Sequence, residues 1–230
     1  MKKFILPAFA LFLFSCGGEE ESSENNEETS TNDADTTAVD TMAVENETET
    51  TMYFEDYAQY DTKTKLYEAF DEENLEDDEA WYAEGTVKFV TTLLTDPTTG
   101  NKIQFTWDEK DEETLSFIET WRLDWKDENA VPQKVETKEG LYTGMPIEEL
   151  VKWNGADFKF YGFGWDYAGA VFANDGGGKL VGYPVDVTLG MLDEGWETHP
   201  HLIGDGEHNS ADDNVIGAPV VVGTMTYYPQ

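Results

Sequence analysis

Apolar and polar positions divide the chain into three stretches. A short apolar run covers residues 4–14. Residues 17–52 are almost wholly polar, with Val39, Met42, Val44 and Met52 as the only larger apolar side chains. From Tyr53 onward apolar and aromatic positions recur at spacings that predict packed elements. Asp61-Thr62-Lys63-Thr64 offers a helix start, and Leu66, Tyr67 and Phe70 fall on one helical face, so a helix is expected over about 62–72. The acidic run 71–79 is expected to lead out of it. Residues 86–94 are rich in β-branched side chains and predict a strand. Asp96-Pro97-Thr98-Thr99-Gly100-Asn101 is a turn signal, and 103–107 alternates as the return strand of a hairpin. Phe117, Glu119, Trp121, Leu123 and Trp125 alternate along a third strand over 115–125.

The second half repeats the theme. A helix is expected over 144–155. Pro146 suits its first turn, Glu148 and Glu149 favour its positive end, Ile147, Leu150 and Val151 form its apolar face, and Gly155 suits the left-handed position that ends it. Strands are expected over 158–161, 168–172, 185–189 and 220–227, with Asn174-Asp175-Gly176-Gly177-Gly178 as a turn. The pattern predicts an α+β domain of two short helices on antiparallel sheet. Pairing residues 66–70 with 150–154 allows two tandem helix-plus-sheet modules, 53–135 and 136–230.

Composition sharpens the division. Residues 17–52 hold twelve Asp or Glu and no Lys or Arg, so they cannot bury enough apolar surface to offset the entropy of ordering. They read as a solvated tether extended by charge repulsion. All seven Trp and all eleven Tyr lie in 53–230, where the formal charge is −25 and Arg122 is the one arginine. Such a field disfavours nucleic acid and anionic membrane surfaces, and favours basic partners and divalent cations.

The first sixteen residues supply an address. Lys2 and Lys3 precede the apolar run, which is about half the ~20 residues needed to span a bilayer. Small Ser15 then stands before Cys16, the only cysteine. This is the pattern of a secretory signal over 1–15. Leu13-Phe14-Ser15-Cys16 resembles a bacterial lipobox, which implies cleavage before Cys16 and lipidation of its thiol. The resemblance places the protein in the outer membrane, periplasmic or surface-exposed, with the membrane as a partner through the lipid anchor. Gly17-Gly18-Glu19-Glu20-Glu21 resembles the acidic export tag of surface lipoproteins of Bacteroidota, and also fits a plain linker. With Cys16 lipidated, the domain forms no internal disulfide.

Two further resemblances concern the domain. Gly140-Leu141-Tyr142-Thr143-Gly144-Met145-Pro146-Ile147-Glu148-Glu149-Leu150 is similar to the Gly-Met helix start of outer-membrane assembly lipoproteins and of β-lactamase inhibitory protein modules. Pro146 stands where that motif has a capping Thr, and Asn154-Gly155-Ala156 replaces its usual exit. Residues 137–169, with Tyr161-Gly162-Phe163-Gly164-Trp165-Asp166-Tyr167, resemble secreted lipoproteins of Bacteroidota that have no assigned activity. That likeness implies a fold and no reaction.

Candidate chemistry is sparse. Phe163, Trp165, Asp166 and Tyr167 combine flat rings with a carboxylate between glycines, which suits a sugar or peptide ligand and equally suits a core strand with glycine kinks. His199, His201 and His208 are the only histidines and fall within ten residues among Asp205, Glu207, Asp212 and Asp213. On an extended segment His199 and His201 would share one side, as a transition-metal site requires; a polar surface loop explains them too. Asp205-Gly206-Glu207-His208-Asn209 spaces oxygens like a calcium loop, but Ser210 and Ile216 occupy the EF-hand Gly and Glu positions. Gly-x-Ser-x-Gly, phosphate-loop and dinucleotide motifs are absent, and Ser116 and Ser210 are the domain's only serines. No catalytic residue is assigned and no cofactor is called for. The sequence favours a non-enzymatic lipoprotein that binds a protein partner, with a surface carbohydrate-binding or carbohydrate-processing role as the alternative.

Replacing Cys16 with Ser is expected to release the protein from membranes or to block its processing. Fractionation at the mature mass checks this, and persistence in the membrane fraction would refute lipidation at Cys16.

Overall fold

The computed structural model describes residues 52–82, 85–124, 126, 129–172 and 176–229. The expected signal, Cys16, nearly all of the tether, Trp125 and the first part of the 174–178 turn lie outside them. The domain is α+β, as the sequence predicts, and mostly β. Six strands form one antiparallel sheet: β1 (Leu75–Tyr82), β2 (Val87–Thr95), β3 (Lys102–Trp107), β4 (Leu115–Trp121), β6 (Val185–Met191) and β8 (Val220–Tyr227). Their spatial order is β1-β2-β3-β4-β8-β6. A two-stranded ribbon pairs β5 (Lys159–Tyr161) with β7 (Glu207–Asn209). The helices are α1 (Lys63–Ala69), α2 (Ile147–Asn154) and α3 (Asp193–Thr198).

One sheet face is the core. Ile103, Phe105 and Trp107 of β3, Ile118 of β4 and Met225 of β8 are fully buried on it. Leu66 of α1 and Ile147 and Leu150 of α2 belong to the same cluster. α2 forms as expected, ending at Gly155 with φ 77°, where a glycine reverses the chain without Cβ strain. Pro146 sits just outside the first turn as its N-cap. Asn154, the last helical residue, is buried. Its amide donates to the carbonyls of Ala156 (2.7 Å) and Gly177 (3.0 Å), and its Oδ1 accepts from the Leu180 N–H (2.8 Å). The β2–β3 turn is organised by Asp96, whose Oδ1 accepts from the N–H groups of Thr98 and Thr99 (2.8 and 3.0 Å). Its other oxygen accepts from the Tyr57 hydroxyl, which burial and this carboxylate push far up in pKa.

The structure departs from expectation in five places. The acidic run does not merely leave α1: Glu76, Asp77, Asp78 and Glu79 are exposed positions of β1, an edge strand. Strand pairing with β2 supplies the order that the side chains do not, and carboxylates on an edge discourage further strands from adding. β4 ends at Trp121, short of the expected Trp125. Residues 168–172 form no strand; Ala170 and Val171 make isolated bridges. Gly169 is the reason, because its φ is 72° and a Cβ there would meet the Leu189 carbonyl at 2.0 Å. α3 and β7 occupy ground expected to be loop. Last, β4 pairs directly with β8, so one sheet crosses the boundary expected between tandem halves.

Leu150→Ala is expected to cost about 2–5 kcal/mol, because the side chain is fully buried. Urea unfolding measures it, and an effect under about 1 kcal/mol would mean that the site collapses around the missing atoms.

Candidate functional site

The aromatic segment after β5 is divided between core and surface. Phe163 is core, 3% exposed, with its ring 6.0 Å from Phe160. Trp165 packs edge-on against Tyr161 at 5.0 Å and donates from Nε1 to the Gly162 carbonyl at 3.0 Å. A Cβ at Gly162 would stand 2.5 Å from the Gly204 carbonyl, so this glycine serves close backbone packing. Asp166 and Tyr167 alone of the four candidates are exposed.

The histidines are not on one extended segment. His199 caps α3, and His201 lies in a 3₁₀ turn, Pro200–Leu202. Their rings are 5.7 Å apart, but each has its own partner: His199 Nδ1 meets the Thr198 hydroxyl and His201 Nε2 meets the Asn214 carbonyl, both at 2.8 Å. His208 leans on Phe160 at 5.6 Å, and burial, then His201, hold its pKa below the ordinary value. Among the described residues no three His, Cys, Asp or Glu converge as a metal set. In the suggested calcium loop, the Asn209 and Asp212 side chains accept from the N–H groups of Ala211 (2.9 Å) and Asn209 (3.1 Å). They brace the turn after β7.

The richer surface is the other face of the six-stranded sheet. Strand alternation puts Gln104 of β3, Glu119 of β4, Thr226 of β8 and Asp186 of β6 in one cross-strand row. Glu119 is its centre. Its Oε2 accepts from the Tyr82 hydroxyl (2.6 Å) and from Gln104 Nε2 (3.3 Å), and its Oε1 accepts from the Thr226 hydroxyl (3.3 Å). Beside it Tyr82, Phe89 and Phe117 meet edge to face at 5.4–6.3 Å, and Phe117 also touches Tyr228. These rings remove water from the carboxylate. Desolvation raises the Glu119 pKa, while the hydrogen bonds from Tyr82 and Thr226 pull it partly back. The same burial raises the Tyr82 phenol well above its usual range.

Clefts open along this face and meet at Trp121. One of about 480 Å³ is lined by Trp81, Tyr82, Gln104, Glu119 and Trp121. Another of about 560 Å³ is lined by Trp121, Arg122, Gly190, Gly223, Met191 and Asp193. Trp121 Nε1 is shut off from solvent and has no acceptor among the described residues. The segment after β4 roofs part of the face through Asp124–Lys102 and Lys126–Asp78 ion pairs, each at 2.6 Å. Gln133 fastens the far end of that segment: its side chain accepts from the Lys102 N–H (2.7 Å) and donates to the Trp121 carbonyl (2.7 Å). Rings, a carboxylate, an amide and hydroxyls on a hydrogen-bonded sheet can hold and orient a ligand. The sequence reading places Glu119 and Trp121 on one strand without marking either as a site. Its usable signal is a carboxylate set among apolar positions of one face.

No known protein family, curated protein or solved structure matches the chain.

Glu119 carries a pH signature. Its folded-state pKa lies above the unfolded one, so ionising it costs stability. That cost is absent below the ordinary glutamate pKa of about 4.3 and complete once the raised value is passed. Glu119→Gln keeps an acceptor for Tyr82 and removes the titration. The variant is expected to gain on the parent as pH rises from about 4 to 7.5, measured as the difference in urea midpoint. A difference independent of pH would show that this carboxylate titrates alike in both states.

Proposed function

We propose that the protein is a non-enzymatic, lipid-anchored envelope module that binds a protein partner on the outer face of its six-stranded sheet. The observation that carries this reading is the meeting of two clefts, of about 480 and 560 Å³, at Trp121 on a hydrogen-bonded sheet face. Trp81, 61% exposed on the edge strand beside the Glu119 cleft, supplies an aromatic anchor of the kind that concentrates interface energy. The sheet is held at both flanks of β4 by strand pairing, so little ordering entropy attends binding. The −25 charge of residues 53–230 favours a basic partner and speeds its encounter. On this reading residues 17–52 are a spacer that carries the domain away from the lipid on Cys16.

A glycan is the second reading, favoured by the same Trp81 ring lying near Gln104 and Glu119, since flat rings with amide and carboxylate groups also bind sugars.

A photo-crosslinking amino acid at Thr224, which lines both clefts, tests the choice in the cells that produce the protein. One dominant protein adduct is expected, weakened about tenfold by Trp81→Ala, the loss typical of an aromatic anchor. No adduct, together with saccharide-specific binding of the purified chain to a glycan array, would overturn the protein reading in favour of the glycan.

A further inference from the structure

We propose that the free edge of β1 takes up an extended basic segment of the partner protein as a seventh strand of the sheet. This deepens the protein-binding reading and rests on it.

β1 stands at one end of the sheet and pairs with β2 alone. Every second N–H and C=O of an edge strand turns away from the sheet. Two bonds show which ones do. The Leu75 N–H donates to the Glu72 carbonyl, and the Glu79 N–H donates to Asp78 Oδ1 at 2.8 Å, so neither is spent on β2. The odd positions therefore face outward, which leaves the N–H groups of Asp77 and Trp81 without an acceptor among the described residues. The Glu79 bond is local and exposed, and an incoming carbonyl can replace it. An edge of eight residues with such a row is a template for another strand.

The side chains leave the approach open. Glu76, Asp77, Asp78 and Glu79 are exposed in succession, and neighbours along a strand point to opposite faces, so both faces of the edge are uncovered there. Trp81, 61% exposed, stands at the end of the row. Residues 79–82 also wall the cleft of about 480 Å³, so a strand added here runs along its rim and continues the binding face.

Charge selects the occupant. Carboxylates on an edge keep off strands at large, and a second copy of β1 most of all, because acids would meet acids. A strand with Lys or Arg at alternate positions meets those acids as partners while its backbone bonds along the outward row. Asp77, Asp78 and Glu79 do pair with Lys63, Lys126 and Lys88, but these carboxylates are 46–56% exposed, where ion pairs hold weakly and exchange. Glu76 has no ion pair among the described residues. The −25 charge of residues 53–230 draws a basic segment in from a distance.

The test gives the purified full chain, in detergent, a fluorescent peptide of eight alternating lysines and valines, the length of β1, and the same peptide N-methylated along its backbone. The plain peptide is expected to bind about tenfold more tightly, since N-methylation keeps the charge and removes the donors. Glu79→Pro, which deletes one outward N–H and sets a ring on the edge, should weaken binding about tenfold. Glu79→Ala keeps that N–H and should weaken it less than about threefold. Thermal melts show whether both variants fold; if the proline variant does not, the N-methylated peptide decides alone. Equal binding of the two peptides, equal effects of the two Glu79 variants, or self-association of the chain that the peptide reverses would each overturn the proposal. If the peptide does not bind while the Thr224 crosslink still forms, strand addition fails and protein binding stands.

Discussion

The exposed face of this domain depends on the seating of β8 between β4 and β6. β8 is paired along both edges, and it is the only strand that joins the first four strands to β6. Its backbone also ties the sheet to the layer beneath. The Gly144 N–H donates to the Val222 carbonyl (2.7 Å), and the Val222 N–H donates to the Met145 carbonyl (2.8 Å). One residue further, the Gly223 carbonyl takes the Arg122 N–H. The segment that leads into α2 and the segment that leaves β4 are thus both referenced to two consecutive residues. A bulge at that point swells the strand by one residue and opens the trough on the outer face. Fold and cleft are therefore one construction.

The two faces of the sheet solve different problems. The inner face is apolar and closed, and its energy comes from area removed from water. The outer face buries a carboxylate among rings, which is costly unless each oxygen finds donors. Glu119 finds three. Tyr82 and Gln104 are bonded to each other (3.1 Å) as well as to Glu119, so the network links β1, β3 and β4 across the sheet. Two Lys–Asp pairs and Gln133 then hold a roof over part of it. Surface ion pairs contribute little singly, at about 0–1 kcal/mol. Gln133 matters more, because its amide is matched to backbone on both β3 and β4. The outer face is polar in composition and ordered in the manner of an interior.

Much of the fold was legible. α2 was readable because Pro146, two glutamates, an apolar stripe and Gly155 all agree, and the 96–101 turn because Asp96, Pro97 and Gly100 each have a turn-specific reason to be there. β1 was not, since its four consecutive acids give no strand signal; its order comes from β2, a partner that a local reading cannot see. Nor was the loss of the 168–172 strand, because Gly169 is fixed by the Leu189 carbonyl, twenty residues away in sequence. The metal reading depended on an extended 199–201 segment, and α3 with the turn after it removes that premise. The alternation of 117, 119 and 121 is plain in the sequence, but which face it occupies depends on β8, pairing more than a hundred positions downstream. A carboxylate in an apolar stripe was the trace of the site, and it gains meaning only when Tyr82 and Thr226 arrive from other strands.

That long-range pairing has a consequence for how the chain is made. Glu119 and Thr226 are 107 positions apart. A chain emerging from N to C terminus presents β4 with one satisfied edge and one open one until β8 appears. Local hairpins form in microseconds, whereas this closure carries the loop entropy of everything between. The β1–β4 meander is therefore an exposed, half-finished sheet for as long as synthesis takes. Its outer edge is guarded by the carboxylates of β1; the β4 edge has no such guard. Anything that holds the chain extended during that interval protects the one edge the sequence leaves undefended.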